Sequence, residues 1–250
     1  PAAVARVTAA LDPERTLVVV ASKSGSTIET RSHLEHFWAR APIGRRFVAV
    51  TDPGSGLESL ARERGFRAVL YGDPEIGGRF AAMSAFGMVP AALMGLDATT
   101  MLDTAEETLE LLGPDVPADE HPGAQLGALI AVAAMAGRDK LTLHLDERIE
   151  SFGSWLEQLI AESTGKQGVG ILPVLGDGVG AADPSGRLHV LVGDTGIDPG
   201  TLDGPWVELQ IEEPEDLGAQ VVLWECATAV AGIVLGINPF DQPDVEATKR

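Results

Sequence analysis

A single cysteine, Cys226, stands in this chain of 250 residues. One cysteine can form no disulfide within the chain and builds no thiolate metal site, which is typical of a protein of the reducing cytoplasm. Basic residues are also scarce, since 18 Lys and Arg stand against 37 Asp and Glu, for a formal net charge of −19. Because such a surface repels phosphate backbones and anionic lipids, we expect neither a nucleic-acid partner nor a membrane partner.

Long apolar runs are missing as well. No run approaches the roughly 20 residues of a membrane span, and the N-terminus lacks the layout of a signal peptide. Hydrophobic residues make up 45% of the chain and charged residues 22%, which is an ordinary globular composition. The chain begins with Pro1 in place of methionine, which points to a fragment of a longer protein.

Short apolar runs without alternation predict buried parallel strands between helices. In the first half of the chain we expect strands at 16–20, 47–51 and 68–71, helices at 26–40 and 57–64, and helical structure over 80–112. The stretch 114–122 holds three prolines and is expected to be an exposed connector. In the second half we expect helices at 121–136, 152–164 and 217–235, and strands at 141–145, 188–192 and 206–209.

This alternation predicts an α/β protein with right-handed strand–helix–strand units and a parallel sheet in each half. The two halves meet near the proline-rich connector. The sequence therefore predicts two domains, 1–116 and 117–250.

Hydroxyl side chains cluster in SKSGST at 22–27, which follows a predicted strand and opens a helix. Hydroxyls and free N–H groups at the positive end of a helix suit a phosphate monoester. The alternative is a capping box of Ser26 with Glu29, which explains Ser26 without a ligand but does not account for Ser22, Ser24 and Thr27. The spacing is not that of a nucleotide-triphosphate loop.

Three further segments hold residues with chemical potential. In Gly77-Gly78-Arg79-Phe80, the glycines permit close approach of a ligand and Arg79 could hold charge, although a glycine turn with a solvated arginine is the commoner reading of these four residues alone. Gln158 and Glu162 share one face of a helix, and the negative end of the helix dipole would favour a Glu162 that accepts and returns a proton near neutral pH, although most surface glutamates on helices have no such role. NPFDQP at 238–243 is either a plain turn or the lip of a ligand site.

Together these segments resemble the phosphoglucose isomerase family, most closely the isomerase portion of bifunctional transaldolase/glucose-6-phosphate isomerase proteins. Four blocks in the family order carry the resemblance, from residue 21 to the end of the chain. They are ASKSGSTIET at 21–30, GGRF at 77–80 with Ser84 and Gly87 before Pro90, EQL and ESTGK within 157–166, and NPFDQPDVE at 238–246 with Lys249.

The resemblance implies two sugar-isomerase domains, each a parallel sheet flanked by helices, and isomerisation of glucose 6-phosphate and fructose 6-phosphate through a cis-enediol without metal or cofactor. It gives Glu162 the proton transfer between C1 and C2, Arg79 the stabilisation of the enediolate, and Lys249 assistance at the ring oxygen. The implied substrate-binding residues are Ser22, Lys23, Ser24, Thr27, Gly78, Gln158 and Gln242. It leaves open a homodimer and an upstream transaldolase domain.

Two features depart from the family pattern. The family's first domain begins with a strand and a GxGGS loop that shares the phosphate, and neither has a counterpart before Thr16. We therefore expect the first domain to be incomplete, and the chain alone to be poorly active until upstream sequence is restored. The family also carries a ring-opening histidine between its third and fourth blocks; here only His189 lies in that interval, in a predicted strand and without the matching neighbours, so we carry the ring-opening role onto no histidine.

Two rival functions stay open at this point. A non-catalytic sugar-phosphate-binding module would need the phosphate loop but would have no use for Glu162, Arg79 and Lys249 together. A dual phosphoglucose/phosphomannose isomerase would use the same residues with another pocket shape.

Overall fold

Two α/β units make up the chain, Pro1–Leu96 and Asp97–Arg250. They are seen in a computed structural model that describes residues 2–176 and 185–241. The helices are α1 (Ala2–Ala10), α2 (Ile28–Trp38), α3 (Gly56–Glu63), α4 (Ala85–Leu93), α5 (Ala98–Leu111), α6 (Pro122–Met135), α7 (Phe152–Thr164) and α8 (Leu217–Leu235). The strands are β1 (Val18–Ala21), β2 (Phe47–Thr51), β3 (Ala68–Tyr71), β4 (Lys140–Leu145), β5 (Leu172–Leu175), β6 (Arg187–Val192) and β7 (Trp206–Leu209).

The first unit is built on a three-stranded parallel sheet in the order β1-β2-β3. Every residue of the central strand β2 is buried, which explains its unbroken apolar sequence. An aromatic cluster packs beside it, with the rings of Phe47 and Phe66 stacked at 5.2 Å and Trp38 against both. Leu57 and Ala61 of α3 join the same core.

The second unit is built on a four-stranded parallel sheet in the order β5-β4-β6-β7. Strand β6 is buried along its whole length and pairs with β4 over six residues, so these two strands form the centre of the sheet. Helix α8 packs against α6, α5 and α7. The fold class expected from the sequence, parallel sheets flanked by helices in two halves, is confirmed.

The expectation that no apolar run approaches the length of a membrane span is corrected. The segment Pro214–Leu235, which contains α8, is long and apolar enough by length and composition to cross a membrane, with a mean hydropathy of 1.6. In the structure, however, ten residues of α8 are buried, including Trp224 at its centre. This is the pattern of a core helix, for which the same test is weak evidence of a span.

Three elements differ from the sequence reading. The stretch 80–112 is not one helical segment but a short 3₁₀ turn followed by α4 and α5, which are separated where Gly95 adopts a φ of 88° and Asp97 caps α5. Strand β5 was not predicted, because Pro173 lowers the strand propensity of its sequence; it lies at an edge of the sheet, where proline is tolerated. Helix α1 was not predicted either.

The two compact units divide between Leu96 and Asp97, earlier in the chain than the predicted domain boundary. Helix α5 belongs to the second unit because it packs against α8. The domain limits 1–116 and 117–250 stay a prediction.

Glu225, on α8, is a half-buried carboxyl group whose Oε1 atom is buried without a hydrogen-bond partner among the described residues. Burial raises its pKa from an ordinary value of 4.5 to about 8. The folded protein therefore binds more protons than the unfolded chain between these two values, and this group makes the free energy of unfolding fall as the pH rises through that window.

We expect Glu225→Gln to raise the free energy of unfolding at pH 8.5 by roughly 2 kcal/mol and to change it little at pH 4.5, since the amide removes the ionisation but keeps the shape. Urea unfolding at both pH values measures this difference. Glu107→Gln, an exposed position on α5, is the matched control. Equal effects of Glu225→Gln at the two pH values would contradict the assignment.

Candidate active site

The carboxyl ends of the three parallel strands meet at one edge of the first sheet, the usual place for a ligand in an α/β fold. Ser22 follows β1, Asp52 follows β2 and Gly72 follows β3. Backbone hydrogen bonds tie these ends together, from Asp52 N to Lys23 O at 3.1 Å and from Gly72 N to Thr51 O at 3.1 Å. The SKSGST loop is therefore anchored on the sheet at this edge.

Within the loop the hydroxyl groups hold one another and the backbone. Ser22 is buried, accepts a hydrogen bond from Gly25 N at 3.1 Å and lies 3.2 Å from the Thr27 hydroxyl. Ser24 accepts from Ser26 N at 3.2 Å, and the two hydroxyl oxygens are 2.7 Å apart. Ser24, Ser26 and Thr27 are exposed. Hydrogen bonds between its own residues therefore hold the shape of the loop, while Ser24, Ser26 and Thr27 lie at the surface.

Gly25 is required by the shape of this loop. Its φ is 68°, in the left-handed region that favours glycine, and a Cβ atom there would lie 2.3 Å from the backbone nitrogen of Leu57. The loop consequently packs directly onto the start of α3.

The capping-box alternative is wrong. Helix α2 begins at Ile28, its N-cap is Thr27, and that residue makes no side-chain capping bond. The hydroxyl of Ser26 lies beside Ser24 instead. The hydroxyls of the loop are therefore not explained by helix capping, which favours the phosphate-binding reading of the segment.

Lys23 lies at the same strand edge but is engaged within the protein. Its ammonium group donates to Asp52 Oδ1 at 2.9 Å and to the carbonyl of Asp73 at 2.7 Å, and it lies 5.4 Å from the centre of the Phe86 ring. Sequence reasoning missed Asp52, although its place directly after a buried strand was a usable signal. A substrate role for Lys23 therefore includes its pairing with this carboxylate.

Arg79 lies in the 3₁₀ turn Gly78–Phe80 and is only 2% exposed. The reading of this segment as a turn with a solvated arginine is therefore wrong. Among the described residues no atom lies within 4 Å of where a Cβ atom would stand on Gly77 or Gly78. Packing within the described chain thus does not demand these glycines, whereas close approach of a ligand would.

In the second unit, Gln158 and Glu162 lie on one face of α7, as predicted. Gln158 Nε2 donates to Glu162 Oε1 at 3.3 Å; Gln158 is exposed and Glu162 half-buried. Glu162 occupies the last turn of the helix, one residue before the buried Ser163. The structure therefore presents a carboxylate whose orientation is held by a neighbouring amide.

The turn after α7 is closely held. Thr164 donates its hydroxyl proton to the carbonyl of Ile160 at 2.8 Å and accepts a hydrogen bond from Ile171 N at 3.0 Å. Lys166, which sequence reasoning gave no role, is buried here. Sequence offers no signal for its contacts, because they lie more than seventy positions away along the chain.

His189 lies in β6, as predicted, and is buried beside His144 of β4, with Nδ1 of His189 and Nε2 of His144 3.1 Å apart. Burial lowers the pKa of both imidazoles. The ring-opening role stays unassigned. Gln242 and Lys249, the remaining predicted site residues, lie outside the described residues.

The fold and these groups define an α/β protein with two parallel sheets, a hydroxyl-rich loop after the first strand of the first unit and a helix-borne carboxylate in the second. A statistical model of the family described as phosphoglucose isomerase matches residues 1–179. The chain belongs to the phosphoglucose isomerase family.

Named relatives agree with this membership. The chain is 31% identical to a glucose-6-phosphate isomerase of Rubrobacter xylanophilus, over 100% of this chain and 71% of that protein. It is 28% identical to a glucose-6-phosphate isomerase of Clostridioides difficile, over 93% of this chain and 64% of that protein. The chain thus spans about two thirds of the length of these relatives.

Solved structures show the same fold. A hypothetical protein of Thermus thermophilus superimposes with a TM-score of 0.85 at 27% identity, over 100% of this chain and 73% of that one. A glucose-6-phosphate isomerase of Chlamydia trachomatis gives a TM-score of 0.80 at 23% identity, over 98% and 60% of the two chains. The family resemblance read from the sequence is confirmed, whereas the link to a transaldolase stays a prediction.

Proposed function

We propose that the protein containing this chain interconverts glucose 6-phosphate and fructose 6-phosphate through a cis-enediol. The observation that carries the proposal is the Gln158–Glu162 pair at the end of α7, with 3.3 Å between Nε2 and Oε1. A module that only binds sugar phosphates needs an anion loop but no oriented carboxylate. An isomerase needs both, because its chemistry is proton transfer.

The phosphate of the substrate is held by the loop at the start of α2. Ser24 and Thr27 are exposed there, and the first N–H groups of the helix add donors and the positive end of its dipole. These local donors are needed because the chain as a whole carries a formal charge of −19 and repels anions.

The chemical step is a proton transfer between adjacent carbons of the open-chain sugar. Glu162 takes the proton from C2 of the aldose, O1 of the resulting enediolate is protonated, and the enediol then loses the proton of O2 while Glu162 returns a proton to C1. The aldehyde at C1 becomes an alcohol and the alcohol at C2 becomes a ketone. No electron acceptor is needed, because the reaction is an internal redistribution.

Arg79 stabilises the charge that exists only around the enediolate. Arg79 is 2% exposed, and a buried guanidinium is screened by water less than one at the surface, which favours its use beside a developing oxygen anion. Gln158 and Gln242 orient the sugar, Lys249 assists at the ring oxygen, and Gly78 and Lys23 border the substrate, as the family resemblance implies. A homodimer, a cytoplasmic location and activity on mannose 6-phosphate remain predictions.

The test of the proposal is a coupled assay of fructose 6-phosphate conversion with the full-length protein that contains this chain, run beside a binding measurement. An isomerase both binds and converts the sugar phosphate. Binding without conversion would favour the sugar-phosphate-binding module instead.

The anion loop gives a separate prediction. Ser24→Ala combined with Thr27→Ala should weaken binding of fructose 6-phosphate by roughly 100-fold or more, since each hydrogen bond to a charged group contributes about 1.5–3 kcal/mol. Binding of unphosphorylated fructose should change far less, and calorimetric titration with both sugars measures the contrast. Ser32→Ala, an exposed serine one turn further along α2, is the control. Equal weakening of both sugars would show that the loop does not bind the phosphate.

A further inference from the structure

The side chain of Lys166 connects two parts of the second unit that are far apart in sequence. Its ammonium nitrogen lies 2.6 Å from the carbonyl oxygen of Asn238, 2.5 Å from that of Asp241 and 2.6 Å from Asp241 Oδ1. An ammonium group has three protons to donate, and here each has an acceptor. Lys166 therefore ties the turn after α7 to the segment after α8.

The lysine end of this connection is fixed. Lys166 and Val169 exchange backbone hydrogen bonds in both directions, each at 3.0 Å, around a tight turn in which Gln167 has a φ of 54° and Gly168 a φ of 79°. Lys166 N also donates to Thr164 O at 2.8 Å. Glu162, in the last turn of α7, lies four residues before Lys166.

The other end is fixed as well. Helix α8 ends at Gly236 in the left-handed conformation, and Ile237 N donates back to Gly232 O at 2.9 Å. A Cβ atom on Gly232 would lie 2.7 Å from the Pro239 ring, so the ring lies directly on the helix. Asn238 Oδ1 accepts from Phe240 N at 3.0 Å and closes the turn.

Stability alone is a poor explanation for this arrangement. The Lys166 side chain is 4% exposed and the Asp241 side chain 49%. Removing an ammonium group from water costs free energy that its attraction to a carboxylate offsets only in part, so a buried ion pair is weak evidence for stabilisation. What three short bonds from one nitrogen do provide is a defined geometry.

We infer that Lys166 is a positioning residue, which sets the place of the 238–241 segment against the turn that follows Glu162. This inference rests on the proposed function. Two of the three acceptors of Lys166 belong to Asp241, the residue that precedes Gln242 in the sequence, so Lys166 fixes the last described residue before the one proposed to orient the sugar. Because all three ammonium protons of Lys166 have acceptors within the chain, we assign it no contact with the substrate.

Such a role acts on the rate constant of the reaction more than on binding. The proposed phosphate site lies in the other unit, on the loop at 22–27, so its contribution to affinity is kept when Lys166 is changed. A displacement of about 1 Å in a positioned group can lower a rate by about 100-fold.

The experiment compares Lys166→Met with Lys140→Met in the full-length protein. Lys140 also pairs with an aspartate, Asp139, at 3.1 Å, but this ion pair lies at the start of β4 and does not include residue 238 or 241, so it controls for loss of a lysine–aspartate contact. For Lys166→Met we expect kcat per folded molecule to fall about 30-fold or more and KM to change less than about 3-fold. Lys140→Met should leave both unchanged, and thermal unfolding gives the folded fraction of each variant.

A kcat per folded molecule within about 2-fold of the wild type in Lys166→Met would overturn the inference. If that variant does not fold, Lys166→Gln carries the test, because the shorter amide has two protons to donate where the ammonium group has three and so does not keep all three bonds to residues 238 and 241. It should lower kcat by about 5-fold, and an unchanged kcat would overturn the inference. If the wild-type protein binds fructose 6-phosphate but does not convert it, the proposed function itself fails, whereas conversion by the wild type with a normal kcat in Lys166→Met would remove only the role of Lys166.

Discussion

Glu162→Gln is expected to lower kcat for fructose 6-phosphate by about 10³-fold, while the dissociation constant of the sugar phosphate changes less than about 3-fold. The amide has the size and hydrogen-bonding reach of the carboxylate, but it cannot take a proton from carbon. Gln158 keeps a neighbour of the same shape, because its Nε2 atom lies 3.3 Å from Glu162 Oε1 and an amide oxygen also accepts a hydrogen bond. Steady-state kinetics and a binding titration measure the two quantities.

Glu157→Gln is the matched control for this prediction. Glu157 is an exposed glutamate on the same helix, five positions earlier, and it lies within the same family block. It should keep wild-type kinetics. If Glu162→Gln converted substrate at the wild-type rate, another group would have to be the base, and the reading of α7 as the catalytic helix would fail.

Arg79→Lys is expected to lower kcat by about 100-fold, with a smaller effect on binding. Lysine keeps the positive charge but loses the planar guanidinium and its fixed donors, which makes the exchange non-conservative at a site that must meet a developing oxyanion. The burial of Arg79 strengthens the effect, because water does not replace the lost donors easily. Steady-state kinetics in both directions of the reaction measure it.

Arg67→Lys, an exposed arginine at the entrance of β3, serves as the control for the Arg79 variant. Its side chain donates to the carbonyl of Arg45 and should not influence turnover. An Arg79→Lys variant with normal kcat but a strongly weakened affinity would show that Arg79 binds the phosphate or the sugar and does not stabilise the transition state.

Strands and helices were predictable where an apolar run is bounded by residues that commonly end a strand or a helix. The expected limits of β2, β3, β7, α7 and α8 coincide with the observed ones. In β2 all five residues are buried, so the unbroken apolar run carries the whole signal. Helix α3 is followed by Gly65 at a φ of 63°, the conformation that made this glycine a readable helix end.

Features that depend on tertiary contacts were not predictable. Ser26 and Glu29 have the spacing of a capping box, yet α2 begins later and Ser26 pairs with Ser24, because the loop is shaped by its packing on Leu57. Strand β5 contains a proline that only its edge position permits. Each local pattern was ambiguous until the neighbouring strands were in place.

The candidate site divides in the same way. The residue types that could carry chemistry were visible in the sequence, because hydroxyls after a strand and a glutamate near a helix end are local patterns. The burial of Arg79, the pairing of Lys23 with Asp52 and the bonds from Lys166 to residues 238 and 241 were not, since each joins segments distant in the chain or depends on packing. The roles of Glu162 and Arg79 stay predictions until the variants are measured.

The measurement that tests the central claim most directly is the fate of deuterium placed at C2 of glucose 6-phosphate during conversion by the full-length protein. If a base removes the C2 proton to give an enediol, part of the deuterium appears at C1 of fructose 6-phosphate and part is lost to water, and both disappear in Glu162→Gln. Nuclear magnetic resonance of the product resolves the two fractions. Conversion at the wild-type rate in Glu162→Gln, with deuterium still transferred to C1 and lost to water, would contradict proton transfer by Glu162.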